Sequence, residues 1–144
     1  MTNGVLSREE RLALLSTART DELIELADAC LADAPAPTVL VSPEVGCVSA
    51  QVRDPIMHER FLVGDVLACR AEVEVDGVRG WAMRLGDDLA AVLAMAVLDA
   101  VAESGRDASG AIGQLCATVA ARRLGDEAEE WAQLAPTIVE FEEL

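Results

Sequence analysis

The residue types that most often carry chemistry are few in this chain, and their spacing brings none of them into a motif. Histidine occurs once, as His58, and the four cysteines include no Cys-x-x-Cys pair: Cys30, Cys47, Cys69 and Cys116. Zinc sites need three or four such ligands, usually in closely spaced pairs. We therefore predict no metal site, and we interpret the cysteines as small buried apolar residues of a reduced protein.

Two other groups have both a chemical and a plainer interpretation. Histidine often serves as a general base, but His58 lies in a loop-like stretch without a predicted partner, which favours a surface position. Asp87 and Asp88 are oxygen donors of the kind that Mg²⁺ prefers, but they directly precede a helical segment, which favours helix capping. The sequence also lacks a Gly-x-Ser-x-Gly elbow and a phosphate-binding glycine loop. We predict no catalytic residue in this chain.

The charge of the chain argues against several classes of partner. Its 26 acidic and 11 basic residues give a formal net charge of -15. Such a surface repels nucleic acids and anionic lipids, and it would also repel a free phosphonate or nucleotide. We expect neither nucleic acid nor a membrane among its partners. The first residues do not form a secretory signal, and the longest near-apolar run, Leu89–Leu98, is too short to cross a bilayer, so we expect a cytoplasmic protein.

The helices that would position these side chains are predicted at both ends and in the middle of the chain. With 144 residues and 52% hydrophobic content, the chain should form one domain over residues 1–144. Helical periodicity and capping signals predict four helices. The first begins at a capping box over Ser7–Glu10, and the second runs from Thr20 and ends before Pro35. The third spans Leu89–Glu103, and the fourth spans Ala111–Leu124, with a stop or kink at Gly125.

The segment Thr38–Leu85 is rich in β-branched residues that alternate with polar ones, which predicts strands. Turn residues predict three breaks within it, at Ser42–Glu44, Asp54-Pro55 and Gly64-Asp65. We therefore predict an α+β fold, in which an antiparallel sheet of about four strands packs against the N-terminal, central and C-terminal helices. A short β-prone tail, Thr137–Phe141, is predicted after Pro136.

The clearest hairpin spans Arg70–Met83 and turns at Asp76-Gly77, two residues that tolerate the positive φ of a primed turn. This turn fixes the register, so Val75 lies opposite Val78. The two faces of the hairpin then differ in character. One is apolar: Ala71, Val73, Val75, Val78 and Ala82. The other is mixed: Arg70, Glu72, Glu74, Arg79, Trp81 and Met83.

The surfaces that could contact another protein are predicted from the mixed face and from the helix over Leu89–Glu103. That helix is apolar nearly all round, which predicts burial on more than one side, against another element or subunit. The chain has only two tryptophans and two phenylalanines, and for each alone core packing is the stronger interpretation. The predicted interface residues are Arg70, Glu72, Trp81, Met83, Ala90, Ala94, Val97 and Phe141.

The order of the turn and capping residues resembles the PhnG family, subunits of the bacterial carbon–phosphorus lyase. That family has Pro-Glu-x-Gly, an aromatic with Gly-Asp/Glu, Arg before a strand, Asp-Gly, and Gly-Arg-Asp leading a helix with Asp-Ala near its end. The matching residues here are Pro43, Glu44, Gly46, Phe61, Gly64, Asp65, Arg70, Asp76, Gly77, Gly80, Gly86, Asp88, Asp99 and Ala100. The tail Thr137–Phe141 is similar to the family's Thr-Arg-Val-Asp-Phe ending.

The chain departs from the family pattern at three places. It has Pro55–Glu59 where the family has a glycine-rich turn, Gly86-Asp87-Asp88-Leu89 where the family has Gly-Arg-Asp-Lys, and Ile138 in place of the tail arginine. The last two departures remove cations through which a family member would contact phosphate. A role in binding partner proteins depends less on these residues.

The resemblance implies an accessory subunit that joins PhnH, PhnI and PhnJ in a symmetric core complex. It implies that the complex uses MgATP and an alkylphosphonate to form ribose-1-phosphonate triphosphate with release of adenine, and that the metal–sulfur and radical chemistry belongs to PhnJ. We expect this subunit alone to bind no cofactor and to self-associate into a homo-oligomer. The composition also fits an alternative, a small acidic dimeric chaperone of a secretion system; a standalone hydrolase would lack a nucleophile and base pair.

Overall fold

The computed structural model describes residues 5–107 and 110–137 and has the predicted α+β fold. No helix within these residues combines the length and apolarity needed to cross a membrane. The elements, in chain order, are α1 Arg8–Leu15, α2 Thr20–Leu31, β1 Thr38–Arg53, β2 Arg60–Val75, β3 Val78–Leu85, α3 Leu89–Glu103, α4 Ala111–Leu134 and a short 3-10 helix Ala135–Thr137.

The sheet of the described residues has three antiparallel strands in the order β1-β2-β3, one fewer than predicted. Of the three breaks predicted within Thr38–Leu85, the one at Asp54-Pro55 separates two strands, β1 and β2. The predicted break at Pro43 is a register shift between Val41 and Glu44 within β1, which tolerates a proline because it is an edge strand. The predicted break at Gly64 is a second irregularity, opposite Ala50, within β2. Bulges thus replace the turns.

The hairpin between β2 and β3 has the predicted register. Val75 lies opposite Val78, Glu72 opposite Trp81 and Arg70 opposite Met83. The turn residues Asp76 and Gly77 have φ of 50° and 80°, as a primed turn requires. Four residues of the predicted apolar face are fully buried: Ala71, Val73, Val75 and Ala82.

Helix α3 forms the centre of the core, between the sheet on one side and α2 on the other. Its approach to β3 is very close at Gly80, where an added methyl carbon would overlap the carbonyl oxygen of Ala96 and lie 2.7 Å from the Cβ of Ala100. Only glycine fits there. Every residue of α3 from Ala94 to Val101 is buried, which confirms that this helix is covered on more than one side.

Two of the predicted interface residues lie inside this core. Ala94 and Val97 are 6% and 4% exposed and belong to the same buried cluster as the apolar sheet face, so elements of the chain itself cover them. Ala90, near the start of α3, is exposed. The all-round apolar character of the helix therefore comes from burial within one subunit.

The C-terminal region differs from the prediction at Gly125. Helix α4 continues through this glycine to Leu134, because the roughly 1 kcal/mol cost of one glycine is smaller than the gain from the good helix formers around it. Thr137 belongs to the 3-10 helix rather than to a strand. The rest of the predicted tail, including Ile138 and Phe141, lies outside the described residues.

A buried carboxylate ties the N-terminal helix to the core. Asp99 of α3 is fully buried and accepts hydrogen bonds from Arg8 at 2.6 Å and Arg11 at 2.9 Å, both from α1. It also accepts the backbone N–H of Trp81 at 3.0 Å, and Arg8 donates to the carbonyl of Arg79 at 3.4 Å. These contacts occupy main-chain groups of β3, so α1 and Asp99 close that edge of the sheet.

Candidate functional site

The most distinctive surface is the part of the sheet that extends beyond the helices. Strand β3 ends at Leu85, opposite Ala68, so beyond this point the sheet consists of β1 and β2 alone. We call residues 45–67 the arm: it consists of this two-stranded part, residues 47–67, and the two β1 residues before it, which lie opposite Cys69 and Ala68. Its consecutive residues Phe61, Leu62 and Val63 are 52%, 61% and 62% exposed. Because neighbouring residues in a strand face opposite sides, both faces of the arm are uncovered.

The arm concentrates exposed large apolar residues, and such a concentration is unusual on the surface of a soluble monomer. A two-stranded hairpin in water is only marginally stable, and β1 also leaves its outer edge without a neighbouring strand. The exposed large apolar residues of the arm are Val45, Val48, Val52, Ile56, Met57, Phe61, Leu62, Val63 and Leu67. A surface of this kind is typical of a subunit that is covered by another protein.

The arm also differs from the rest of the chain in charge. Arg53 and Arg60 nearly balance Asp54, Glu59 and Asp65, which gives the arm a net charge of -1. The remaining residues therefore carry -14 of the total of -15. A protein that docks on the arm meets little repulsion there, whereas the helical body favours partners with basic surfaces.

A small cavity at the base of the arm brings motif residues and predicted interface residues together. Its volume is about 240 Å³, and Glu44, Gly46, Arg70 and Met83 line it. Arg70 donates to Glu44 at 2.6 Å across the two strands, which raises the pKa of Arg70. A Cβ added at Gly46 would meet no atom within 4 Å, so packing within this chain does not require glycine there.

Trp81 and Met83 lie beside this cavity on the mixed face, where they are 43% and 41% exposed. Together with Leu12 and Ala13 of α1 they line a second groove of about 340 Å³. The backbone of Trp81 is held by Asp99, so its indole side chain is presented from a fixed strand. Glu72, on the same face, is 3.9 Å from Arg79 in an exposed ion pair.

The two side chains considered above for chemistry, Asp88 and His58, lie in different parts of the structure, and Asp88 has a structural role. Asp88 caps α3 by accepting the N–H of Ala91 at 3.1 Å, and it also accepts a hydrogen bond from the Thr20 hydroxyl. The Thr20 hydrogen bond is the main reason that the pKa of Asp88 is lowered. His58 lies in the exposed turn at the tip of the arm, with φ of 56°, where its backbone N–H donates to Asp54 at 2.9 Å.

The four cysteines are free and occupy three kinds of environment. Cys69 and Cys116 are buried, as predicted, and burial raises the pKa of both thiols, which opposes thiolate formation. Cys30 is half-buried. Cys47 is exposed, contrary to the prediction, because it lies on the arm where no helix covers the sheet.

The described residues contain no group of three or more His, Cys, Asp or Glu side chains arranged to hold a metal ion. A groove of about 770 Å³ lies between α1 and α4 and has a mostly apolar wall. Arg11 and Asp107 are its charged residues, and Cys116 is its thiol. None of these forms a nucleophile and base pair with the geometry that catalysis requires.

Most of the other motif residues shape turns and edges. Asp76 pairs with Arg106 at the hairpin turn, and Gly86, with φ of 99°, donates its N–H to Leu67 at 2.9 Å. Asp65 accepts a hydrogen bond from Ser49 across the arm at 3.3 Å. These contacts give the motif residues structural roles in turns and at strand edges.

Sequence reasoning missed the arm itself. The signal was present at residues 61–63, where three consecutive apolar residues interrupt the alternation expected of a strand with one buried face. A second signal was Ile56-Met57, two large apolar residues in a predicted turn. Both are explained by a strand pair that the chain's own helices do not cover.

The fold and this surface define an α+β protein with a helix-covered sheet that continues into an uncovered apolar arm. The chain belongs to the PhnG family: the family model described as phosphonate metabolism protein PhnG matches residues 6–144, nearly the whole chain. A search of curated proteins gives no match. The family match confirms the resemblance, assigns the chain to phosphonate metabolism and sets aside the secretion-chaperone alternative.

Proposed function

We propose that this chain is a non-catalytic subunit of a cytoplasmic carbon–phosphorus lyase assembly, in which it joins PhnH-, PhnI- and PhnJ-like proteins. The observation that carries the proposal is the uncovered arm, residues 45–67, whose two apolar faces have no cover from the chain itself. Membership of the PhnG family gives the metabolic context.

The arm offers two modes of contact at once. Its apolar side chains can be buried at roughly 25 cal/mol per Å² of apolar surface removed from water. The open edge of β1 can in addition pair with a strand of the partner, which supplies main-chain hydrogen bonds. The cavity at Glu44, Gly46 and Arg70 then lies at the base of the contact, where the missing side chain at Gly46 lets a partner approach the strand closely.

The charge of the chain supports a role outside the chemical step. In the reaction that the family resemblance implies, the adenine of MgATP is replaced by an alkylphosphonate to give ribose-1-phosphonate triphosphate. Both substrates are anionic, and a chain with a net charge of -15 does not attract them. The partners would therefore supply the cations and the reacting groups, and this subunit would hold the partners in position.

Co-expression with a PhnI-like protein tests the proposal. The wild-type chain should co-purify with it, and Leu62→Glu should abolish co-purification, because the substitution places a charge in the centre of the arm. Leu124→Glu is the matched control: Leu124 is 68% exposed, against 61% for Leu62, but lies on α4, far along the chain from the arm. Equal capture of wild type and Leu62→Glu would contradict the proposal.

The mixed face provides a second test of the same interface. Trp81→Ala and Met83→Glu should weaken binding of the PhnI-like protein more than they lower the thermal unfolding temperature of the isolated chain, since both side chains are about two-fifths exposed. A loss of thermal stability as large as the loss of binding would instead identify them as core residues.

A further inference from the structure

Two arginines lie directly opposite each other at the outer end of the arm. Arg53, the last residue of β1, pairs with Arg60, the first residue of β2, and both are exposed. Residues opposite one another in an antiparallel pair have Cα atoms about 5 Å apart and project from the same face of the sheet. Like charges in this position repel, so the two arginines destabilise the hairpin that carries them unless an anion lies beside both.

Neither arginine has a carboxylate partner among the residues that the structure describes. Asp54 and Glu59 adjoin them in the chain, but the described residues contain no ion pair that links either acid to either arginine, and Asp54 instead accepts the backbone N–H of Ile56 at 2.8 Å. The near balance of charge in the arm is therefore one of number and not of contact. Elsewhere, six arginines form ion pairs with acidic side chains: Arg8, Arg11, Arg70, Arg79, Arg106 and Arg122.

The face that carries the two arginines becomes apolar next to them. Gln51 lies opposite Leu62, and both are on the same face as the arginines, since residues two apart in a strand project to the same side. Leu62 is 61% exposed. The opposite face at this end of the arm carries Val52 and Phe61. An anion that reaches the arginines therefore lies beside an exposed leucine, which suits an acidic side chain within a protein surface better than a free ion.

We propose that Arg53 and Arg60 together bind an acidic side chain of the partner protein that covers the arm. This inference rests on the proposed function and adds the chemistry of the partner, a carboxylate bordered by apolar residues. Each guanidinium has planar N–H donors that match the two oxygens of a carboxylate. A carboxylate between them also removes the repulsion of the two arginines. A protein without an acid at this point would leave two covered cations unpaired, so the arginines select among partners.

Two other sources of an anion agree less well with the charge of the chain. A free nucleotide or phosphonate would approach a chain of net charge -15 against repulsion, and it would leave the apolar side chains of the arm uncovered. A second copy of this chain has the same net charge and is repelled in the same way. A carboxylate on a different protein, held in place by apolar contact with the arm, avoids both difficulties.

The association constant of the full chain with the PhnI-like protein, measured by isothermal titration calorimetry, tests the inference. The double variant Arg53→Gln/Arg60→Gln should bind at least about tenfold more weakly than wild type. Its affinity should also fall less steeply as the salt concentration rises. Arg123→Gln is the matched control, because Arg123 is exposed and also has no ion pair among the described residues. This control should bind within about twofold of wild type.

A carboxylate added to the arm itself gives a second test. Gln51→Glu adds one charge with little change of size, on the same face as the arginines, where it should compete with the partner and lower the association constant by about threefold or more. Gln133→Glu adds the same charge on α4 and should have an effect below about twofold. The isolated double arginine variant should unfold at the wild-type temperature or above, because its substitutions remove a repulsion.

The possible results separate this inference from the proposed function. Binding that is lost in Leu62→Glu but unchanged in the double arginine variant would overturn the inference alone, and absence of binding by the wild-type chain would overturn both. Binding of MgATP or methylphosphonate to the isolated chain, lost in the double variant, would assign the arginines to a phosphoryl group. Self-association lost in that variant would assign them to a second copy. Either of these two results would overturn the inference.

Discussion

The same two strands form two regions with opposite properties. In the base of the sheet, residues 68–75 of β2 lie under α3, and from Cys69 onward they alternate between buried and partly or fully exposed positions. In the arm, residues 60–67 of β2 continue the same ladder with no helix above or below them. The difference teaches that the chain's own helices cover the base, whereas both faces of the arm are left open to contact with another molecule.

Substitution of the two glycines that lie opposite β2 should give the largest difference in stability between the base and the arm. Gly80→Val should prevent folding, because its side chain would overlap the backbone of α3 at Ala96. Gly46→Val has open space around it and should change the free energy of unfolding by less than about 0.5 kcal/mol. Circular dichroism and urea unfolding measure both. A folded Gly80→Val protein would show that α3 can move away from the sheet.

Two aspartates give the next comparison. Asp99→Ala removes the buried acceptor shared by Arg8, Arg11 and the Trp81 N–H, while Glu103 still pairs with both arginines, and it should destabilise the protein by about 3 kcal/mol. Asp65→Ala in the arm removes one exposed hydrogen bond to Ser49 and should cost less than about 0.5 kcal/mol. Chemical unfolding curves of the two variants check the ranking. Equal losses would mean that the arm contributes to the core.

Apolar truncations sharpen the same contrast at a smaller scale. Val73→Ala in the base should cost about 1–2 kcal/mol, because it leaves a cavity under α3. Phe61→Ala in the arm removes more carbon atoms but should cost under about 0.5 kcal/mol, since that ring already faces water. Midpoints of urea unfolding give both values, and the larger side chain is expected to have the smaller effect.

The smallest expected effect concerns pH and the cap of α3. The pKa of Asp88 is lowered in the folded protein, so its stabilising effect is complete above the unfolded-state pKa and is lost as the pH falls through the folded value. Asp88→Asn retains a capping oxygen without the charge. It should therefore flatten the decline of stability below about pH 4. A decline as steep as that of wild type would assign the effect to other carboxylates.

The sequence was sufficient where local patterns determine the structure. Asp76-Gly77 and the alternation around it predicted the hairpin register, and Ser7 with Glu10 predicted the cap of α1. The Asp99 cluster was not predictable in the same way, because Arg8 is 91 residues away in the chain. The break predicted at Pro43 was wrong, because an edge strand tolerates proline. A single sequence does not show which strand lies at the edge of a sheet.

The arm was not predicted because hydrophobic patterning indicates that a surface is buried without indicating which molecule buries it. The same ambiguity affected α3, whose apolar character was attributed partly to a partner at Ala94 and Val97, although the chain itself covers both. Solvent exposure in the folded chain resolves the ambiguity at both places. The exposed fractions place the candidate contact surface on the arm, around Phe61 and Leu62, rather than on α3.

The closed edge of β3 limits how this protein can aggregate. A sheet with two open edges can accept a neighbour on each side and grow into a fibre. In the base of the sheet, the contacts of Arg8 and Asp99 with Arg79 and Trp81 block lateral growth beside β3, so β1 is the open edge there. Addition of strands to the base is therefore limited to the β1 side, and the described sheet exposes both of its edges in the arm, where β2 has β1 as its neighbour on one side and no strand on the other.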